Sequence, residues 1–375
     1  MSGVEDSAIR NVTKWEKNKS IIKAEQFIKE ATSPLITVEN MKIFSDTFPD
    51  DAEYNEASVN NDIRYTNRKE GKIKEYDLVA RSVEYMVGTW LDSDKIFDNG
   101  ANSKSPKAAK SSDYDDYSHG VDVAKTWVLS GEDADKCKTN KLTIAIDVTT
   151  SKKDSTIYNG PNGGFGKLSQ FSNGLPYGFT SIKYYAEQEP SSNKILLSDQ
   201  KTCVPRFVVG IDKNIVSYML RNNEVTDNID QNTPRMILIR FKVLSEIRNQ
   251  ATLFLEKLPE GEEFNAPRSF IETILKRTEK CIIECAESMT PYPIESSGNW
   301  KPTFKAKNEV FLSSEAEKLE KDPPLKGHDA VFAIEELIKD KNLACYDATF
   351  TAILNGVERF RQDNPGVCNP EPPTQ

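Results

Sequence analysis

A chain of 375 residues has room for one large domain with extensions, or for two domains. Hydrophobic residues make up 37% and charged residues 29%, a polar balance that predicts much exposed helix and loop rather than one large core. The 49 Lys and Arg against 58 Asp and Glu give a net charge of −9, which argues against a surface built throughout for phosphate and leaves only local basic faces for nucleic acid.

The N-terminus, Met-Ser-Gly-Val-Glu-Asp-Ser, lacks the apolar core of a signal peptide, and no run of about 18 apolar residues occurs, so no spanning helix is expected. The six Cys form no CxxC pair and have no His at zinc-ligand spacing. Scattered Cys fit a reducing compartment, and the expectation is a cytoplasmic protein.

In chain order, Trp15, Ile21, Ile22, Ala24, Phe27 and Ile28 predict a helix over 12–31. Residues 45–72 are polar and Asn-rich and read as a loop or linker. From Tyr76 to Leu91, Val79, Val83, Met86 and Trp90 follow a helical line, with Glu84 at the edge of the apolar arc. A Ser-, Lys- and Asp-rich loop is expected over 98–118. Its Asp113, Asp115 and Asp116 lack the Gly and distal Glu of an EF-hand and read as a solvated acidic loop.

Two stretches then carry most of the chemistry: Ser118-His119-Gly120-Val121-Asp122 and Ile144-Ala145-Ile146-Asp147-Val148-Thr149. Val121–Leu129 and Leu142–Thr149 read as strands, and the polar 130–141 segment suits a hairpin connection, which makes the pair antiparallel. Strands about 5 Å apart can offer two carboxylates to one divalent cation. The Gly-rich 159–166 stretch lacks P-loop spacing and reads as a flexible loop. Phe179–Tyr185 and Arg206–Ile211 are further strands. Beyond residue 235 the chain reads as helical over 236–258, 268–288, 328–340 and 345–361, with a Pro-rich, disordered tail from 364. Cys281 and Cys285 share a face and read as small apolar residues on a packed helix. Gln250, with Glu246 four residues before it, either faces the sheet or forms a surface pair.

Helix with Glu84, strand with Asp122, strand with Asp147, then further strands and a long helix: over 76–260 this order resembles the PD-(D/E)XK, restriction-endonuclease-like nuclease superfamily. The resemblance implies an α/β fold, a restriction-endonuclease-like mixed β-sheet core flanked by helices, with N- and C-terminal helical extensions. It implies an extension over 1–71, a core over 72–260 and a helical region over 261–375. By position, Asp122 matches the second-strand Asp, Asp147 the third-strand acid and Glu84 the first-helix acid. These three would hold Mg²⁺ or Mn²⁺, Glu84 through a water. Thr149 stands where the superfamily places a Lys; it shares a face with Asp147 and carries no charge. Lys152, Lys153 or Lys183 are the candidates to replace that Lys, with Lys152 and Lys183 preferred.

The implied activity is metal-dependent endonucleolytic hydrolysis of nucleic-acid phosphodiester bonds, with DNA ahead of RNA as substrate. Lys152, Lys153, Lys167, Arg206 and Lys213 would contact phosphates, and the helical flanks would meet substrate or a protein partner; no membrane is implied. The alternative is an inactive nuclease-like fold serving as a nucleic-acid- or protein-binding module, which Thr149 and the −9 charge favour. A third reading is an unrelated α/β protein with two structural Asp. His119 is either a proton shuttle or a polar residue at a strand start, and His119 and His328 have no nucleophile in a recognisable setting.

Overall fold

The computed structural model describes residues 36–70, 78–92, 108–159, 166–169, 175–188, 195–198, 201–213, 215–217, 234–291, 304–306, 309–310, 326–339 and 347–364. The helix expected at 12–31, most of the Gly-rich stretch, Cys345, Cys368 and the tail beyond 364 fall outside them.

Helices α1 (Ile43–Thr47), α2 (Glu56–Glu70) and α3 (Leu78–Asp92) precede the main sheet. Its connections hold α4 (Asp113–His119), α5 (Glu132–Cys137) and α6 (Asp154–Ile157), and it is followed by α7 (Pro234–Lys257), α8 (Asn265–Ser288), α9 (Gly327–Lys339) and α10 (Ala348–Asp363). The strands are β1 (Ala109–Lys110), β2 (Val123–Val128), β3 (Lys141–Thr149), β4 (Phe179–Ile182), the paired β5 (Tyr185–Gln188) and β6 (Ile195–Ser198), β7 (Lys201–Gly210), and β8 (Thr290–Pro291), β9 (Phe304–Ala306) and β10 (Glu309–Val310), which form a small separate sheet. The main sheet runs β1-β2-β3-β7-β4. β2 pairs antiparallel with β3, β3 parallel with β7, and β7 antiparallel with β4. The chain is therefore α/β, a mixed sheet flanked by helices. No described helix is long and apolar enough to cross a membrane.

Alternation along β3 sorts the two faces. Ile144, Ile146 and Val148 enter the main core, where Val83, Met86 and Val87 of α3 and Ile271, Ile274, Phe350 and Ile353 of the later helices also lie. Ala145 points the other way, into a small cluster with Ala124, Ile182, Tyr185 and Val204. A third cluster joins Met41, Phe44, Tyr54 and Val59 to Tyr184 and Ala186.

Several expectations are corrected. The 45–72 stretch is not a loop: α2 forms there, because Asn55 accepts the Ser58 N–H at 2.9 Å and Val59, Ile63 and Thr66 give a narrow inward line. The 98–118 loop ends in α4, capped by Ser112, whose hydroxyl accepts the Asp115 N–H at 3.1 Å, and closed by Gly120 at φ 62°. The 130–141 connection contains α5 rather than a simple hairpin. Phe179–Tyr185 is two strands, because the Lys183 and Tyr184 N–H groups turn away to the Asp115 carboxylate, at 2.8 and 3.0 Å. The helices expected at 76–91 and beyond 235 are present with slightly shifted ends.

Past Pro205, β7 loses β4 as a neighbour, and its outward groups meet other partners. The Arg206 N–H donates to Gly178 O at 2.7 Å. Gln250 of α7 accepts the Val208 N–H at 2.8 Å and donates to Val208 O at 2.7 Å, while Glu246 accepts the Gly210 N–H at 2.9 Å. Helix α7 thus lies along the open edge, with two side chains one turn apart matched to alternate strand residues.

Candidate functional site

The Asp122 and Asp147 carboxylates meet where β2 and β3 part. The register Val123↔Ile146, carried one step further, sets Asp122 across from Asp147. Gly120, in the left-handed region, turns the chain out of α4 and into this position. There the Asp122 carboxylate accepts the Val148 N–H at 2.5 Å, so a side chain completes the ladder past the end of the strand pairing. Both residues are buried, Asp122 at 6% and Asp147 at 2% exposure.

Asp147 sits between two cations. The Lys167 ammonium pairs with its Oδ1 and donates to Val148 O at 3.2 Å. Arg206, opposite Ala145 on β7, brings Nη1 to 3.9 Å from Asp147 Oδ2. The same guanidinium donates to two backbone carbonyls, His119 O at 3.1 Å and Lys167 O. It therefore ties the end of α4 and the segment after the Gly-rich stretch to one carboxylate. Gly166, just before Lys167, packs directly on the backbone of Ile157 and Tyr158, which a Cβ there would strike.

The electrostatics follow from this crowding. Burial, then Asp116 and Asp147, raise the Asp122 carboxyl well above the usual carboxylate range, and Lys167 and the Val148 N–H only partly offset them. Burial alone would lower the Lys167 ammonium, but the Asp147 and Asp122 carboxylates outweigh it and raise its pKa. Burial lowers Arg206 against the pull of the same two carboxylates.

The other sequence candidates lie elsewhere. Glu84 is on α3, the helix that covers the opposite face of the sheet from Ala145, and the carboxylate that faces Asp122 from the helical side is Asp116 of α4. The Thr149 hydroxyl accepts the Ser151 N–H at 3.1 Å and closes a turn. Lys152 pairs with Asp212 at 2.8 Å. Lys183 is buried against Asp62 at 2.7 Å and donates to the Ser58 hydroxyl at 3.1 Å, which locks α2 to the β4–β5 turn. Neither of the preferred lysines stands on Asp147; Lys167 does. Lys153 is exposed and Lys213 half-buried. Only Lys167 and Arg206, of the five expected phosphate contacts, are at the acidic pair.

Sequence reasoning missed the roles of Asp116 and of Lys167. Ser112 and Asp115, spaced as a helix-start pair ahead of Gly120, were the available signal for the helix that carries Asp116. Lys167 had only its place behind the Gly-rich stretch.

Among the described residues no three His, Cys, Asp or Glu side chains converge as a metal group. Two carboxylates with a backbone carbonyl are nonetheless an oxygen set of the kind Mg²⁺ accepts with waters and substrate phosphate. Compared with known proteins, the chain matches no family model, no curated protein and no solved structure.

Proposed function

We propose that the chain is a divalent-metal-dependent nuclease with a restriction-endonuclease-like core, hydrolysing phosphodiester bonds of nucleic acid, DNA before RNA. One observation carries the reading. The Lys167 ammonium occupies a point shared by Asp147 Oδ1 and Val148 O, beside the buried Asp122 carboxyl. A cationic group already rests where oxygens of this chain gather, as Mg²⁺ or Mn²⁺ would.

Asp122, Asp147 and Val148 O would hold the ion, which supplies charge neutralisation at phosphate and a more acidic water. Lys167, displaced from the carboxylate, would stay within reach of the phosphate and take the role that the superfamily gives to the Lys two residues after the acid. Arg206 keeps the segments bearing Lys167 and His119 in place. The helical flanks would contact DNA or a partner protein.

The second reading, an inactive nuclease-like binding module, is favoured by the two cations already paired with Asp147 and by a Thr149 hydroxyl committed to a turn. The deciding assay is cleavage of DNA and RNA with Mg²⁺ or Mn²⁺ by wild type, Asp147→Ala and Lys167→Ala. Cleavage by wild type that both variants lose is expected. Products equal in all three reject the site, and binding without cleavage by wild type selects the module.

A further inference from the structure

We propose that His119 is the proton donor to the leaving oxygen at the Asp122–Asp147 site, oriented by Asp115; this rests on the hydrolytic reading and goes beyond it. Asp115 is fully buried and its carboxylate is saturated with donors: the Ser112 hydroxyl at 2.6 Å, the Lys183 and Tyr184 N–H groups at 2.8 and 3.0 Å, and His119 Nδ1 at 2.8 Å. A carboxylate so engaged fixes His119 with Nδ1 as the donor and leaves Nε2 for another partner. The imidazole is 20% exposed, and among the described residues Nε2 makes no hydrogen bond. The ring stands at the C-terminal end of α4. One guanidinium nitrogen of Arg206 reaches both His119 O, at 3.1 Å, and Asp147 Oδ2, at 3.9 Å. The His119 backbone is thereby fixed at the rim of the acidic pair, three residues before Asp122.

In the step assigned here, water oxygen bonds to phosphorus and the bond from phosphorus to the leaving oxygen breaks. The departing oxygen keeps the electron pair and takes the Nε2 proton. The attacking water releases one proton to solvent, and His119 recovers one from solvent while Nδ1–H stays on Asp115. The products are a phosphomonoester and an alcohol, and no oxidant or reductant is needed.

A proton donor matters when the leaving group is a poor one, and this gives the test. Full-length wild type, His119→Ala, His119→Gln and Asp147→Ala are compared with Mn²⁺ on DNA and on thymidine 5′-(p-nitrophenyl) phosphate, whose p-nitrophenolate departs without a proton. The expected result is a loss of about 10²-fold or more in kcat on DNA for both His119 variants, with the nitrophenyl ester cleaved within a few-fold of wild type. The Gln variant can still donate to Asp115, so it separates a lost proton from a lost fold. Equal losses on both substrates, or no loss on either while Asp147→Ala abolishes cleavage, overturn the His119 assignment alone. Cleavage that is absent from wild type or unchanged in Asp147→Ala overturns the hydrolytic reading and His119 with it.

Discussion

The Asp122 carboxyl serves the backbone before it serves any ligand. It takes the place of a strand neighbour for the Val148 N–H and does so in a buried setting with Asp116 and Asp147 close by. Its folded-state pKa is raised, so the favourable neutral form persists at low pH, and stability is lost as pH rises through that folded value. Asp122→Asn keeps an acceptor for Val148 and removes the ionisation. Urea midpoints of the two proteins should converge in acid and separate as pH rises, with the Asn variant the more stable. Asp122→Ala should instead lie about 1–3 kcal/mol below Asp122→Asn at any pH, because the Val148 N–H loses its acceptor. The Asp122–Asp147 pair was readable from two short segments that each place an Asp on a strand, the second apolar up to its acid. The Lys167 contact was not, because Lys167 stands 20 positions beyond Asp147 and the chain between them carries no periodicity that says which lysine returns.

At the level of elements, α7 shows how a helix can finish a sheet. A strand edge left open inside the protein would strand polar groups, and Gln250 and Glu246 supply them at the two-residue spacing of β7. Burial, with Asp347 adding to it, holds the Glu246 carboxyl well above its usual range. Gln250→Ala would leave both the N–H and C=O of Val208 without their partner, at about 1–3 kcal/mol for each group. A drop in melting temperature with faster hydrogen exchange at Val208 and its β7 neighbours is the expected outcome; exchange unchanged there would reject the edge-capping role. The pairing of Gln250 with Glu246 was visible in the sequence, and one of its two readings, facing the sheet, holds. Helices α2 and α4 were less visible. Their apolar positions are few, and what starts them is a capping side chain, Asn55 or Ser112, rather than a hydrophobic stripe.

Across the whole molecule, the C-terminal helices share the sheet's core. Phe350, Ile353, Val357 and Phe360 of α10 lie in the same cluster as Phe207 and Val209 of β7. Gly210 keeps this contact close, since a Cβ there would press into the Thr349 and Ile353 side chains. Asp347 caps α10 through the Thr349 and Phe350 N–H groups, at 2.9 and 3.0 Å, and pairs with the fully buried Lys242 of α7 at 3.2 Å. Removing one member of such a pair costs about 3–5 kcal/mol, a large part of the 5–15 kcal/mol that holds an ordinary domain together. A chain ending at 340 should therefore lose cooperative unfolding in urea, monitored by circular dichroism; a sharp transition with the full chain's midpoint would show that α10 is dispensable. The composition gave no hint of this union, since burial of Lys242 and Asp347 depends on contacts more than a hundred residues apart.

Lys167 reaches Asp147 from a segment of its own, and Arg206 anchors that segment by its backbone carbonyl rather than by its side chain. The ammonium is thus free of the pleat that would bind a lysine on β3 to the orientation of its strand. Its address in the chain and its address in space are separate quantities. A pattern that looks for an acid and a lysine two residues apart is blind to this arrangement. What a site of this kind has to preserve is a place beside the carboxylate, which any segment long enough to return can fill.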